Sequence, residues 1–240
     1  YKLKNTLNLL RHFDWTLAKK IFENALPVLI MMLFSFALAR VDQLMIMSYL
    51  GEAALGQFAV AVKLIDIWQF LPMAVINSLF PSIVQAFGSS SYEYNLGIKR
   101  LYFMMLLISL SCISGVYLLG DGVISVLYGE QYKEAIELLK LYSWVTIFTF
   151  FIYARTKIFT IESAVKYGSY MAFIAVIINI VLNTYLIPAY GAQGAIYSSL
   201  LAYGLSNFIF VFFVEVVRVN AIRYITSLFL PLSYFRKGGE

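Results

Sequence analysis

Apolar residues in this chain come in long runs, and ionisable residues punctuate the runs at their ends. A helix that crosses a bilayer needs about 20 mostly apolar residues. Glu23 and Arg40 bracket the first run, and the apolar pattern resumes through residues 43–50. The second covers about 54–87, interrupted by Lys63 and Asp66 and marked by Pro72 and Pro81. The third, 101–119, carries no charge, and the fourth contains the uncharged stretch 141–154. Between Lys166 and Glu215 no residue is charged, a length suited to two helices. Pro188, Gly191 and Gly194 supply the break between them.

The pattern predicts six spans at about 24–50, 54–87, 98–120, 136–160, 167–188 and 193–217. The segments are twice the length of a barrel strand, so the predicted fold is all-α, a polytopic membrane protein built as a six-helix bundle. Residues 1–20 alternate apolar and basic positions as an amphipathic helix on the membrane surface does, and 219–240 reads as a polar tail. Residues 121–139 read as a mixed connector on the opposite side.

Composition agrees. Of 240 residues 61% are hydrophobic, only 13% are charged, and the mean hydropathy is +0.80. A single soluble core of this size could not hide so much apolar surface, which argues against a soluble enzyme or a nucleic-acid-binding domain. The net charge of +5 is concentrated in short connectors. Fourteen of the 18 lysines and arginines fall on one side of the predicted topology, among them Lys19, Lys20, Arg100, Arg155, Arg218 and Arg223. Lys133 and Lys140 alone fall on the other, which predicts both ends of the segment in the cytoplasm. His12 has no second ligand nearby, and Cys112 has no partner for a disulfide or a metal site. No spacing supports a nucleophile–base pair, so no enzyme activity, cofactor or metal is expected. The chain opens on Tyr1, which reads as part of something longer.

Four ionisable residues lie within the first two predicted spans: Arg40 and Asp42 in the first, Lys63 and Asp66 in the second. In an antiparallel hairpin centred near Glu52 all four sit at one level, about 15–20 Å from the connector. Lys63 and Asp66 are three apart and share a helix face, whereas Arg40 and Asp42 are two apart and point in different directions. Cross-helix pairing of Asp42 with Lys63, or of Arg40 with Asp66, is expected. Buried charges in a bilayer are expensive and usually face a bundle interior or a wet cavity. Two readings stay open: neutralised structural pairs, or a substrate-binding or ion-coupling cavity. The uncharged Gln43, Gln69, Asn77, Asn179, Asn183 and Asn207 read mostly as interhelical glue.

Several phrases form a series. They are Ala39-Arg-Val-Asp-Gln-Leu-Met-Ile-Met-Ser-Tyr-Leu-Gly51, Gly56-Gln-Phe-Ala-Val-Ala-Val-Lys-Leu-Ile-Asp66, Leu79-Phe-Pro-Ser-Ile-Val84, Leu127-Tyr-Gly-Glu-Gln-Tyr-Lys-Glu-Ala135 and Leu186-Ile-Pro-Ala-Tyr-Gly-Ala-Gln-Gly-Ala195. Together they resemble Wzx-type polysaccharide flippases of the multidrug/oligosaccharidyl-lipid/polysaccharide exporter superfamily. The resemblance implies two six-helix lobes around a central cavity, of which this chain matches the C-terminal one. It implies a bacterial inner-membrane protein whose substrate is an undecaprenyl-pyrophosphate-linked oligosaccharide. The implied partners are that lipid-linked oligosaccharide, membrane lipid and the missing N-terminal lobe, with polysaccharide polymerase machinery a further candidate and nucleic acid excluded. Arg40, Asp42, Lys63 and Asp66 fall on the two helices that the resemblance places at the cavity. Competing readings are a drug or metabolite antiporter of the same superfamily and, less well supported, a membrane enzyme acting on lipid-linked sugars.

Overall fold

The computed structural model describes residues 14–229. Residues 1–13, with His12, and the tail from residue 230 lie outside them. Helix α1 spans Trp15–Leu50 and is capped by Asp14, whose carboxylate accepts from the backbone N–H groups of Thr16 at 2.8 Å and Leu17 at 3.2 Å. It runs unbroken from residue 15 into the first predicted span and ends at Gly51, whose φ of +83° suits a glycine.

The second span is broken. Helix α2 covers Glu52–Asp66, a 3₁₀ turn covers Ile67–Gln69, and α3 covers Phe70–Phe87. Pro72 has no N–H to offer the carbonyl of Trp68, which explains why the ladder loosens there. Helix α4, Ser91–Leu127, is capped by Ser90, whose Oγ accepts from the N–H of Glu93 at 3.3 Å. It continues well past Asp121, so much of the predicted 121–139 connector is helix. The turn is confined to Tyr128, Gly129 and a 3₁₀ turn at Glu130–Tyr132.

Helices α5 (Lys133–Ser143) and α6 (Val145–Ile161) meet at Trp144 with a bend of 45°. The hydroxyls of Ser143 and Thr146 donate to the carbonyls of Lys140 and Ser143 at 2.7 and 2.6 Å, competing with the helical ladder at the bend. Helix α7 covers Val165–Tyr190 and passes through Pro188, so the reversal falls at Gly191, with φ +61°, and not at the proline. Helix α8 covers Ala192–Phe213. Val214 is extended and breaks the chain three residues before the predicted end of the sixth span, and α9 then covers Glu215–Ser227.

Among the described residues, five helical segments are long and apolar enough to cross a membrane, and the bent α5–α6 pair makes a sixth if it counts as one span. The protein is therefore an all-α polytopic membrane protein. Helix α7 packs along α1 and α8, α4 packs against α3, α5 and α6, and α2 packs on α5. Two apolar clusters form. One, near the turns at Gly51, Gly129 and Gly191, includes Ile46, Phe58, Ile124, Leu139 and Ile196. The other, toward the opposite end, includes Ile76, Ile98, Tyr102, Phe150 and Ile158. Outside them Leu118, Val126 and Phe213 are more than 80% exposed, a surface suited to lipid and not to water.

Candidate functional site

Asp42 lies inside the bundle, 4% exposed, at the meeting of α1, α7 and α8. Asn179 and Asn183 are one turn apart on α7 and therefore stack on one face. Their amide nitrogens donate to Asp42 Oδ1 at 3.0 and 2.7 Å. From α8, Ser199 Oγ donates to Asp42 Oδ2 at 2.6 Å. The two asparagines and the serine are also bonded to one another, Asn183 Nδ2 to Asn179 Oδ1 at 3.1 Å and Asn179 Nδ2 to Ser199 Oγ at 3.1 Å. Asn183 Oδ1 is buried without a hydrogen-bond partner. Among the described residues no cation pairs with Asp42, so a carboxylate shut away from water is held by neutral donors alone, an arrangement that is costly unless every donor stays in place.

The expected pairing of Asp42 with Lys63 does not form. Lys63 and Asp66 are both exposed, on a stripe of α2 that continues into Ile67 and Phe70. Lys63 makes no ion pair among the described residues. The alternative, a direct ion pair of Arg40 with Asp66, does not form either. Each binds a neighbour on its own span: Arg40 donates to Gln43 Oε1 at 3.3 Å, and Gln69 Nε2 donates to Asp66 Oδ1 at 2.5 Å. Arg40 nevertheless sits within Coulombic reach of Asp66 and lies 5.7 Å from the ring centre of Phe36. The physical reason is rotation. Asp42 is two residues from Arg40 on a 3.6-residue helix, so turning Asp42 inward onto α7 leaves Arg40 on the open face.

Asp66 and Gln69 open onto a small recess between the two broken spans. Tyr142, Thr146 and Thr149, around the α5–α6 bend, form its other wall, and Tyr153 Oη donates to Gln69 Oε1 at 3.2 Å.

Two groups escaped the sequence reading. Arg155, read from the sequence only as an orienting charge near the end of the fourth span, is 5% exposed within α6. It donates to Asn207 Oδ1 on α8, and its guanidinium lies 5.4 Å from the ring centres of both Phe151 and Phe159. Those aromatic residues at spacing of four on either side were the available signal. Glu162, in the α6–α7 turn, pairs with Arg223 of α9 at 2.5 Å, with both side chains nearly enclosed. Tyr94 and Asn220 also donate to Glu162, at 3.1 and 2.9 Å. Nothing local in the sequence joins residues 162 and 223.

The family model described as polysaccharide biosynthesis protein matches residues 5–137, more than half of the chain. That portion holds Arg40, Asp42, Lys63 and Asp66, whereas Asn179, Asn183 and Ser199 fall beyond it. No curated protein and no solved structure gives a significant match. With its helices, its spans and this match taken together, the chain is a multi-pass membrane protein that belongs to the polysaccharide biosynthesis protein family.

Proposed function

We propose that this chain is one lobe, the C-terminal one, of a flippase that moves an undecaprenyl-pyrophosphate-linked oligosaccharide across the bacterial inner membrane. The observation that carries the reading is the placing of Arg40 and Asp66 on the exposed faces of the first two spans of a polysaccharide-biosynthesis membrane protein. Intramembrane charges turned away from the packed interior need a wet cavity or a partner surface. Arg40 and Lys63 are the cations that meet a pyrophosphate or an acidic sugar, with Asp66 and Gln69 on the adjoining recess as acceptors and donors for hydroxyl groups. The second lobe of the transporter closes the cavity over them, and both ends of this segment face the cytoplasm, as the lysine and arginine placement supports.

Asp42 is the ion-coupling residue of this reading. Among the described residues no cation stands beside this buried carboxylate, held by Asn179, Asn183 and Ser199, so a proton or a small cation is what can neutralise it. Loading that charge changes the balance of forces joining α1 to α7 and α8, which is the kind of two-state packing that alternating access uses.

The test is surface polysaccharide in a strain that lacks its own exporter, complemented with the native gene carrying this sequence. Wild type restores the polymer, and Arg40→Ala and Asp42→Asn abolish it at unchanged abundance in the membrane. Polymer that persists in both variants, or falls only with protein level, overturns the roles assigned to these residues. Failure of wild type, with resistance to a drug panel instead, favours the antiporter.

A further inference from the structure

Helix α9 wears its polarity inside out. The residues it turns into the protein are Val217, Asn220, Tyr224 and Ser227, spaced three and four apart, and Asn220 and Ser227 are fully buried. Arg223 adjoins that face, giving its Nη1 to Glu162 Oε1 at 2.5 Å and its Nε to Asn95 Oδ1 at 2.8 Å. Asn220 donates to Glu162 Oε2 at 2.9 Å and accepts from Tyr102 Oη at 2.9 Å. The polar groups are thus consumed by α4 and the α6–α7 turn. The outward stripe is apolar: Val219, Ile222, Ile225, Leu228 and Phe229, with Ile222 54%, Ile225 56% and Phe229 80% exposed.

Three facts limit what can cover that stripe. In water such a continuous apolar face is costly. At 13 residues α9 is about 20 Å long, too short to cross a hydrocarbon core of about 30 Å. It also starts two residues after Phe213, the end of the last span, so the chain enters it at the membrane surface. Exposed Arg218 and Glu215 stand at that entry.

We propose that α9 is an interfacial anchor: it lies in the plane of the membrane surface with Ile222, Ile225 and Phe229 in the lipid, and the Glu162–Arg223 pair holds it at that depth. The partner is the bilayer itself, recognised by apolar contact at the headgroup–acyl boundary, as amphipathic surface helices bind. The usual helix of this kind shows its polar face to water. Here the polar face is bonded to the protein, so the anchor moves only with α4 and the α6–α7 turn.

The experiment places a bimane fluorophore at Ile225→Cys in a Cys112→Ser background, with the whole protein reconstituted in phosphatidylethanolamine/phosphatidylglycerol vesicles. The expected result is strong quenching by lipid spin-labelled near the headgroup, weaker quenching by lipid labelled near the chain end, and little by aqueous iodide. Dominant iodide quenching overturns the proposal, as does stronger quenching from the chain end, which a spanning helix gives. Disulfide formation between two copies through Ile225→Cys overturns it in favour of a protomer contact. Adding Glu162→Gln is expected to lower the headgroup-level quenching and raise that by iodide, and an unchanged profile removes the holding role from the ion pair. Should that variant fail to accumulate, Asn95→Ala, which deletes one bond to Arg223, gives the same reading with a smaller shift.

Discussion

Asp42 and Asn183 stand 141 positions apart in the chain and 2.7 Å apart in space, carboxylate oxygen to amide nitrogen, with no cation paired to either. The contact ties α1 to α7 in the packed interior of the bundle. Its energetics follow from how dry the place is, since a lost partner leaves the other group unsatisfied.

Asp42→Ala therefore strands three donors, those of Asn179, Asn183 and Ser199. Each stranded group costs about 1–3 kcal/mol. A clear fall in melting temperature in detergent is expected, with Asp42→Asn falling less because it keeps the shape and one acceptor oxygen. Equal melting temperatures for wild type and Asp42→Ala would show that the three donors find other partners.

Arg155→Lys is not conservative here. The guanidinium lies beside two phenyl rings and reaches Asn207, and an ammonium reproduces neither the stacking nor the fork. Two partly desolvated cation–π contacts are worth about 0.5–2 kcal/mol each, so the variant is expected to lose stability on that scale. Thermal unfolding of Arg155→Lys beside Arg155→Met separates the charge from the packing of the stem.

Gln57 reaches from α2 to the start of α5. Its Nε2 donates to the carbonyl of Gln131 at 2.7 Å, and its Oε1 accepts from the N–H of Ala135 at 3.0 Å, one of the orphan donors of that helix end. Gln57→Ala is expected to cost about 1–3 kcal/mol and Gln57→Glu, which keeps the acceptor and loses the donor, less. Hydrogen exchange at the N-terminal turn of α5 should rise in Gln57→Ala, and an unchanged rate would contradict this account.

Gly194 sits where α8 begins against the end of α7. A Cβ there would run into the backbone carbonyl of Leu186 and approach the nitrogen of Ile187 to 2.9 Å. Backbone cannot swing aside as a side chain can, so Gly194→Ala is expected to cost more than the usual 1–3 kcal/mol, roughly, of an overpacked site. Membrane-inserted yield should fall sharply, whereas Gly204→Ala, where a Cβ meets open space, should match wild type.

Much of the fold was legible because it is local. Backbone groups in lipid must be satisfied within their own segment, so run length alone predicts helices, and the connector near residue 51 and the break between the last two spans could be read from charge and turn residues. Glycine at 51, 129 and 191 then takes the positive φ of the turns. The opposed directions of Arg40 and Asp42, and the shared face of Lys63 and Asp66, follow from helical period in the same way.

Partners were not legible, because they depend on how each helix is rotated and on which distant helix packs beside it. The nearest cation by depth, Lys63, lost to two asparagines and a serine 137 to 157 positions away, since α7 and α8 cover the face of α1 that Asp42 occupies. Arg155 read as an orienting charge on the flank of the fourth span, whereas α8 and two phenylalanines enclose it. The sequence by itself determined an all-helical membrane chain and which of its charges share a helix face. Only the tertiary structure decided which charges face inward, because hydropathy runs along one dimension and side-chain contacts are made across the bundle.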